Sequence, residues 1–558
     1  MRRIQYVFFT LVVCCACVLS CKQRLNAADL SYYNSVSTGK VDQDGYYVVK
    51  ADSINGIEDA LEEAHKNATQ ERPYKIIVKP SDSVYMMDSA FVLYGNTYLY
   101  AQGALFKQVS GIVNNMIRIG NSDNVLGYYY KNIVIDGGTW DENNNSNTMV
   151  KIAQTKNMTV KNATFKNVKD GHIMEVAGVD GFTISKCNFM NQKIVKKNSK
   201  LYEAVQLDIL VKKHFKGYRY QDLAIRNVSV SDCTFSNVPR GIGSHTTVLN
   251  NPINGITISN NTFTQIKSCA VQLMNVKNCT ISDNTIDSAP RGITILGAVF
   301  DNQDTYLSQT LSKQGKTTSS TSTKYKKPAS NMKIVISNND IKVDGKDPYA
   351  SYEKSGIFIS GFHAKKAYKS SSGDKLPKGN YYVSGVTISN NIVKGNCHGV
   401  KLVDVYNTKV NNNKLDFTGS MGKVSYYGIV LKGKTKSISV TNNTINKHLN
   451  GIYVKDAGAG NITGNTIRNV KKYGISIERS SASKINNNII NKAKRNGIHI
   501  WDKSSVKTIS ANKLTGVKAR GIYVGGKSKV TTISKNKFKS CKEKININKD
   551  SKVKHKQK

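Results

Sequence analysis

From about Val150 to Asn548 the chain is built from short stretches in which apolar and polar residues alternate, and the stretches recur in a fixed order. One phrase has the form Gly-Ile-x-Ile, with glycines at Gly428, Gly451, Gly474, Gly497 and Gly521, roughly every 23 residues. A second phrase resembles Ile-Ser-Asn-Asn-Thr-Phe and runs over Ile258–Phe263, Ile281–Ile286, Ile336–Ile341, Val440–Ile445 and Ile509–Leu514. Alternation over four to six positions is the period of a half-buried strand, and no helix-length periodicity separates the phrases. The joining segments hold Asn, Gly and Lys but no fixed hairpin dipeptide. The pattern therefore predicts an all-β fold, a single-stranded right-handed parallel β-helix, in which each strand pairs with its counterpart one coil away at about 4.8 Å.

The second Asn of the second phrase recurs as Asn261, Asn284, Asn339, Asn391, Asn413, Asn443, Asn465, Asn488, Asn512 and Asn536. Amides stacked at one bend can bond each other and backbone that would otherwise be buried unpaired. This spacing predicts an internal asparagine ladder. Cys187 and Cys233 hold the same position in two earlier coils and read as buried thiols.

Residues 29–74 form an N-terminal segment, within which Ser53 to Ala64 reads as a capped amphipathic helix with acidic residues in its first turns. Such a helix would cover the apolar strand edge at the end of a solenoid. The β-helix is expected over 75–548, followed by a basic tail over 549–558. Asp301 to Ser330 is rich in Ser, Thr and Lys and reads as an inserted polar loop, and Gly361 to Asn380 as a second excursion.

Arg2 and Arg3 precede the apolar run Tyr6 to Leu19, so residues 1–28 read as a signal peptide and the protein as secreted or placed in the cell envelope. The run is too short for a membrane span. Two processing points compete: a small-residue site at Asn26-Ala27-Ala28, and a loose lipoprotein-type box that would acylate Cys21. No cysteine spacing suggests a zinc site. A formal net charge of +43 would attract polyanions such as acidic polysaccharide. Nucleic acid is disfavoured by the export signal and the lack of a binding module.

The two phrases, together with Ile135-Asp136-Gly137-Gly138-Thr139-Trp140-Asp141 and the run Thr159 to Phe165, resemble the pectin lyase-like superfamily, which includes pectate lyases, polygalacturonases and uronan epimerases. The resemblance implies a right-handed parallel β-helix over nearly the whole mature chain. It leaves the reaction open, because this scaffold hosts enzymes, adhesins and phage tail proteins.

Aligned copies of the first phrase in the early coils depart from the glycine pattern. His172, Glu203, Arg240, Cys269 and Arg291 begin successive copies, with Glu175, Gln206, Asp208, His245 and Gln272 inside or beside them. Val205 and Leu207 should face inward, which sends Gln206 and Asp208 outward. An exposed patch of mixed ionisable groups results. Its inventory suits β-elimination or epimerisation at a uronate: Arg240 or His245 as base, with Glu203 and Asp208 at the reacting centre. His172, Gln206, Gln272 and Arg291 would bind substrate, and Glu175, Glu203 and Asp208 could hold Ca²⁺. The Asn-Thr-Asp and Gly-His-Gly phrases of polygalacturonases are absent, which counts against inverting hydrolysis. A cross-coil salt-bridge network is the plainer reading of the same residues.

Later copies carry Phe358, Val430, Tyr453, Ser476, His499, Trp501 and Tyr523 at the outward positions. This aromatic row reads either as a sugar-stacking groove or as packing. Two functions follow: an exported enzyme on an acidic polysaccharide, with a polygalacturonase-type hydrolase as its variant, or a non-catalytic envelope protein that binds glycan through a basic solenoid face.

Overall fold

The computed structural model describes residues 29–121, 124–195, 202–210, 215, 218, 223–245, 251–297, 331–347, 353–365, 368–369, 375–376, 378–420, 422 and 424–557. The signal segment with Cys21 and the polar insertion at 301–330 lie outside the described residues. The chain divides into two compact units, Met1–Ser199 with Gly217–Arg219, and Lys200–Lys216 with Tyr220–Lys558.

In the first unit the parallel stack begins before residue 75. Tyr47–Ala51 pairs with Tyr74–Val78, which pairs with Thr97–Tyr100, and the column continues through Tyr130–Asp136, Val150–Lys161 and Met174–Ser185. Residues 29–35 are helical and Tyr47–Ala51 is a strand, so the N-terminal segment holds more than its capping helix. The capping helix spans Ile54–Asn67; Ser53 accepts from the Gly56 N–H at 3.1 Å, and Ile57, Ala60, Leu61 and Ala64 are buried. No acid lies in its first turn, the acidic side chains starting only at Glu58. A separate column runs from Tyr85–Met87 to Asn188–Met190, with Phe106 stacked on Trp140 at 4.1 Å and Phe165 on Phe189 at 5.5 Å.

The second unit repeats three strands per coil. The first strand carries the Gly-Ile-x-Ile phrase and the other two carry the asparagine phrase, on either side of its bend. The phrase needs glycine because of close approach: a Cβ on Gly474 would stand 2.5 Å from the Gly497 carbonyl of the next coil and 2.7 Å from Ile490 Cγ2. Alanine takes that place as Ala204 and Ala270 in the irregular coils.

Each Asn-Asn pair divides two tasks. The first residue adopts a left-handed conformation, as at Asn390 (φ 58°) and Asn412 (φ 58°), where Asn is tolerated better than most residues. The chain bends there, and the second Asn enters the interior. Its backbone N–H and its side-chain amide both donate to Oδ1 of the next Asn, and the amide also reaches a carbonyl of the preceding coil. The series runs unbroken from Asn261 to Asn536. Cys233 donates into its start through its backbone N–H, and Gln557 accepts at its end, 2.7 Å from Asn536 N. The expected basic tail is thus a further coil: Glu543–Ile547 and Lys552–Lys556 pair in parallel with Arg520–Val524 and Lys529–Ser534.

At the base of the excursion after Gly361, Phe362–Ala364 pairs antiparallel with Gly379–Tyr381. Cys187, Cys233, Cys269, Cys279, Cys397 and Cys541 are all free thiols. Among the described residues no helix is long and apolar enough to cross a membrane.

Candidate functional site

In the second unit the early coils bring the expected residues into the expected columns. Glu203, Arg240, Cys269 and Arg291 are successive partners across neighbouring strands, and Gln206, Gly243, Gln272 and Thr294 form the adjoining column. Their environment differs from the expectation of an exposed patch. Glu203, Gln206 and Asp208 are 0 % exposed, and Arg240 and Arg291 are 5 % and 1 %. Alternation fixes which face a side chain takes, but a face covered by other chain segments is interior all the same.

The buried groups pair with one another. Arg240 forms a salt bridge through Nη1 to Glu203. Asp208 accepts from the Gln206 amide at 2.5 Å and from the His245 backbone N–H at 3.0 Å. The His245 ring lies between the two acids, 3.6 Å from Glu203 Oε2 and 3.6 Å from Asp208 Oδ2, and is the one member with appreciable exposure, 24 %. Arg291 is held by Asp347 at 2.9 Å, Ser268 at 2.9 Å and Gln272 at 3.3 Å. These last contacts make Arg291 and Gln272 parts of an internal clamp on the segment carrying Asp347, which corrects their expected role on an open surface.

His172 and Glu175 belong to the first unit, where both are buried. Glu175 stands opposite Lys151, whose Nζ is 3.9 Å from its carboxylate. Among the described residues no group of three or more His, Cys, Asp or Glu side chains is disposed to hold a metal ion. A hard dication needs several free oxygens, whereas Glu203 faces a guanidinium and Asp208 an amide and an N–H. The donor set therefore does not fit Ca²⁺.

The later coils present a different surface. A groove of about 600 Å³ is lined by Tyr453, Tyr473, His499, Trp501 and Tyr523 together with Lys472, Arg495, Arg520, Asn450, Asn496 and Glu478, among others. Tyr453, Ser476, His499 and Tyr523 are register partners on successive coils, and Glu478 is the partner of Trp501. Tyr473, His499 and Tyr523 stack face to face, at 4.1 and 5.3 Å between ring centres. Their faces are spent on each other, so ring edges and hydroxyls meet the groove. Trp501 is the most exposed ring of the row, at 38 %. Burial holds His499 neutral down to about 4, helped by the positive Lys472, Arg495 and Arg520.

The sequence pattern singled out the aromatic row but not Asn450, Tyr473, Asn496, Lys472 or Arg495. Their signal was present: the residue before each glycine, and the one before that, recur on every coil and line the same face.

A family model described as "Right handed beta helix region" matches residues 381–538, the segment holding the groove. Plasmin and fibronectin-binding protein A of Streptococcus pneumoniae is 27 % identical over 165 residues, 27 % of this chain and 23 % of that protein's length. The structure of the S. pneumoniae surface protein and adhesin PfbA aligns at TM-score 0.40 and 16 % identity, covering 94 % of this chain and 99 % of that one. A tailspike protein of E. coli bacteriophage HK620 aligns at TM-score 0.45 and 12 % identity, covering 92 % and 79 %. By its coils, and over residues 381–538 by the matching model, the chain is a right-handed parallel β-helix.

Proposed function

We propose that the chain is a glycan-binding protein of the cell envelope or cell surface, and that the groove of the later coils is its binding face. The observation that carries this reading is the groove itself: about 600 Å³, open, and lined by hydroxyls, amides and cations on one rigid stack of strands. The relative matched by sequence is by its name a binding protein for plasmin and fibronectin, which agrees with a recognition role. The N-terminal run Tyr6 to Leu19 behind Arg2 and Arg3 supports export. A glycan array probed with the mature protein tests the reading. Retention on particular glycans, lost in a Tyr473→Ala/Tyr523→Ala double variant that melts like the parent, is the expected result. Absence of retention on every glycan would defeat it.

A second reading rests on His245. Its ring is the partly exposed member of an otherwise buried acid pair with Arg240, which is an arrangement suited to proton transfer. Elimination on a uronate polymer would then occur at the early coils. Incubation with acidic polysaccharides and measurement of ultraviolet absorbance from unsaturated products checks it. No new absorbance, or equal absorbance with His245→Ala, removes the lyase reading.

A further inference from the structure

We infer that the groove of the later coils selects anionic glycans, with Lys472 and Arg495 as the side chains that hold the ligand's charge. This inference rests on the glycan-binding reading above and adds to it a ligand class and the residues that set it.

The charges lining the groove are not equivalent. Glu478 is compensated by Lys455 at 3.3 Å and Arg479 at 3.4 Å, and it accepts from the Tyr453 hydroxyl at 2.7 Å. Arg520 is paired with Glu543 at 3.2 Å. Among the described residues Lys472 and Arg495 have no ion-pair partner; Lys472 rests only against the Tyr473 ring, at 5.0 Å. The two stand on adjacent coils, joined by the hydrogen bond from Arg495 N to Lys472 O at 2.9 Å. One coil is about 4.8 Å. The uncompensated charge of the groove is therefore positive and repeats along the solenoid axis at a step close to the length of one sugar residue. The depressed protonation of His499 between these cations reflects the same positive field, second to burial.

The floor decides between a charged sugar chain and a single strand of nucleic acid. Nucleic-acid strands are gripped by aromatic faces on which bases stack. Here Tyr473, His499 and Tyr523 stack on each other, with interplanar angles of 12° and 9°, which leaves Trp501 as the most exposed ring, a single face in place of the row that successive bases need. The lining beside these rings is polar: the Tyr473 and Tyr523 hydroxyls and the Asn450 amide, the Asn496 amide being bonded to the His499 ring at 2.9 Å. Asn450 is 4 % exposed, and its Oδ1 is fixed by the Tyr473 N–H at 3.2 Å, which leaves its amide nitrogen without a partner among the described residues. Short hydrogen-bonding groups beside fixed cations suit carboxylated or sulfated sugar hydroxyl chains.

The test uses the mature chain and three probes of equal length: an oligogalacturonate, its fully methyl-esterified form and an oligothymidylate. Trp501 is 38 % exposed at the groove, whereas Trp140, the other of the 2 tryptophans, is 0 % exposed, so ligand quenching of fluorescence reads the groove. The oligogalacturonate is expected to bind at least about tenfold more tightly than the ester, with affinity falling as salt rises. A Lys472→Gln/Arg495→Gln variant should lose about tenfold or more. A Lys484→Gln/Lys507→Gln variant, altered at exposed lysines away from the groove, should bind like the parent. Equal binding of acid and ester, with glycan-array retention intact, overturns the charge inference and leaves glycan binding standing. Tighter binding of the oligothymidylate, or equal losses from both lysine variants, also overturns it. No binding of any sugar overturns this inference and the glycan reading together, and the array separates that case.

Discussion

Asn443 donates twice to one atom of Asn465: its backbone N–H and its side-chain amide each lie 3.0 Å from Oδ1. The Asn465 amide in turn reaches the Val440 carbonyl at 2.9 Å and Asn488 Oδ1 at 2.9 Å. Replacing Asn465 with Ala removes the acceptor shared by two buried donors, the Asn443 N–H and amide, and one donor from each of three acceptors, the Val440 and Thr463 carbonyls and Asn488 Oδ1. Each buried group left unmade costs about 1–3 kcal/mol, so a loss of at least about 3 kcal/mol is expected in urea unfolding. A change below about 1 kcal/mol would mean that the ladder is not a supporting element.

The Glu203–Arg240 pair has no exposed side, so removing one partner leaves a buried charge. Glu203→Gln should destabilise the second unit by about 3–5 kcal/mol, and Glu203→Leu/Arg240→Met should recover most of that. Denaturant unfolding of single and double variants checks the cycle. If catalysis rather than packing retains the pair, the double variant is stable and loses product formation.

Glu142 is buried in the first unit, both carboxyl oxygens lack hydrogen-bond partners among the described residues, and burial pushes it up to about 10. The folded unit then keeps a proton that the unfolded chain releases above about 4.5. Stability contributed by the protonated form is complete below about 4.5 and is lost as pH rises towards about 10. Glu142→Gln keeps the neutral shape, so its melting temperature should exceed the parent's at pH 8 and depend less on pH. Parallel pH profiles for the two proteins would refute the assignment.

Three histidines in the second unit act in the opposite sense. Burial lowers His398, lowers His448 to about 3 and lowers His499 to about 4. As pH falls below the ordinary histidine value of about 6.5, the unfolded chain takes up protons that the folded unit refuses. Stability present above that value is progressively lost down to about pH 3. Urea midpoints measured from pH 7 to 4 should fall, and His448→Phe should flatten the slope. The same midpoints staying constant would contradict it.

Periodicity made the coils, the columns and the asparagine ladder legible, because each rests on a short pattern repeated many times. The first Asn of each pair was harder to read, since its task is a backbone angle and not a contact. Burial of Glu203 and Asp208 was not legible. It depends on what covers the strand, and neither alternation nor spacing carries that. Arg291 shows the same limit: its partner Asp347 lies beyond the polar insertion, at a separation no local motif encodes. The groove was half legible, its aromatic row by alignment of one outward position and its cations only once the turn residues were placed beside it. The Lys-rich end concealed its last coil because Lys552 to Lys556 holds a single apolar residue, the half-buried Val553.

Coils Tyr427 to Val524 are so alike that sliding one of them past its neighbour by a full turn would cost little in apolar contact. The irregular coils forbid such slippage. Moved by one coil, Glu203 would face Cys269 in place of Arg240, and a charge would be sealed inside without its mate. Unique ion pairs near one end thus act as a key that sets the count for the interchangeable turns that follow.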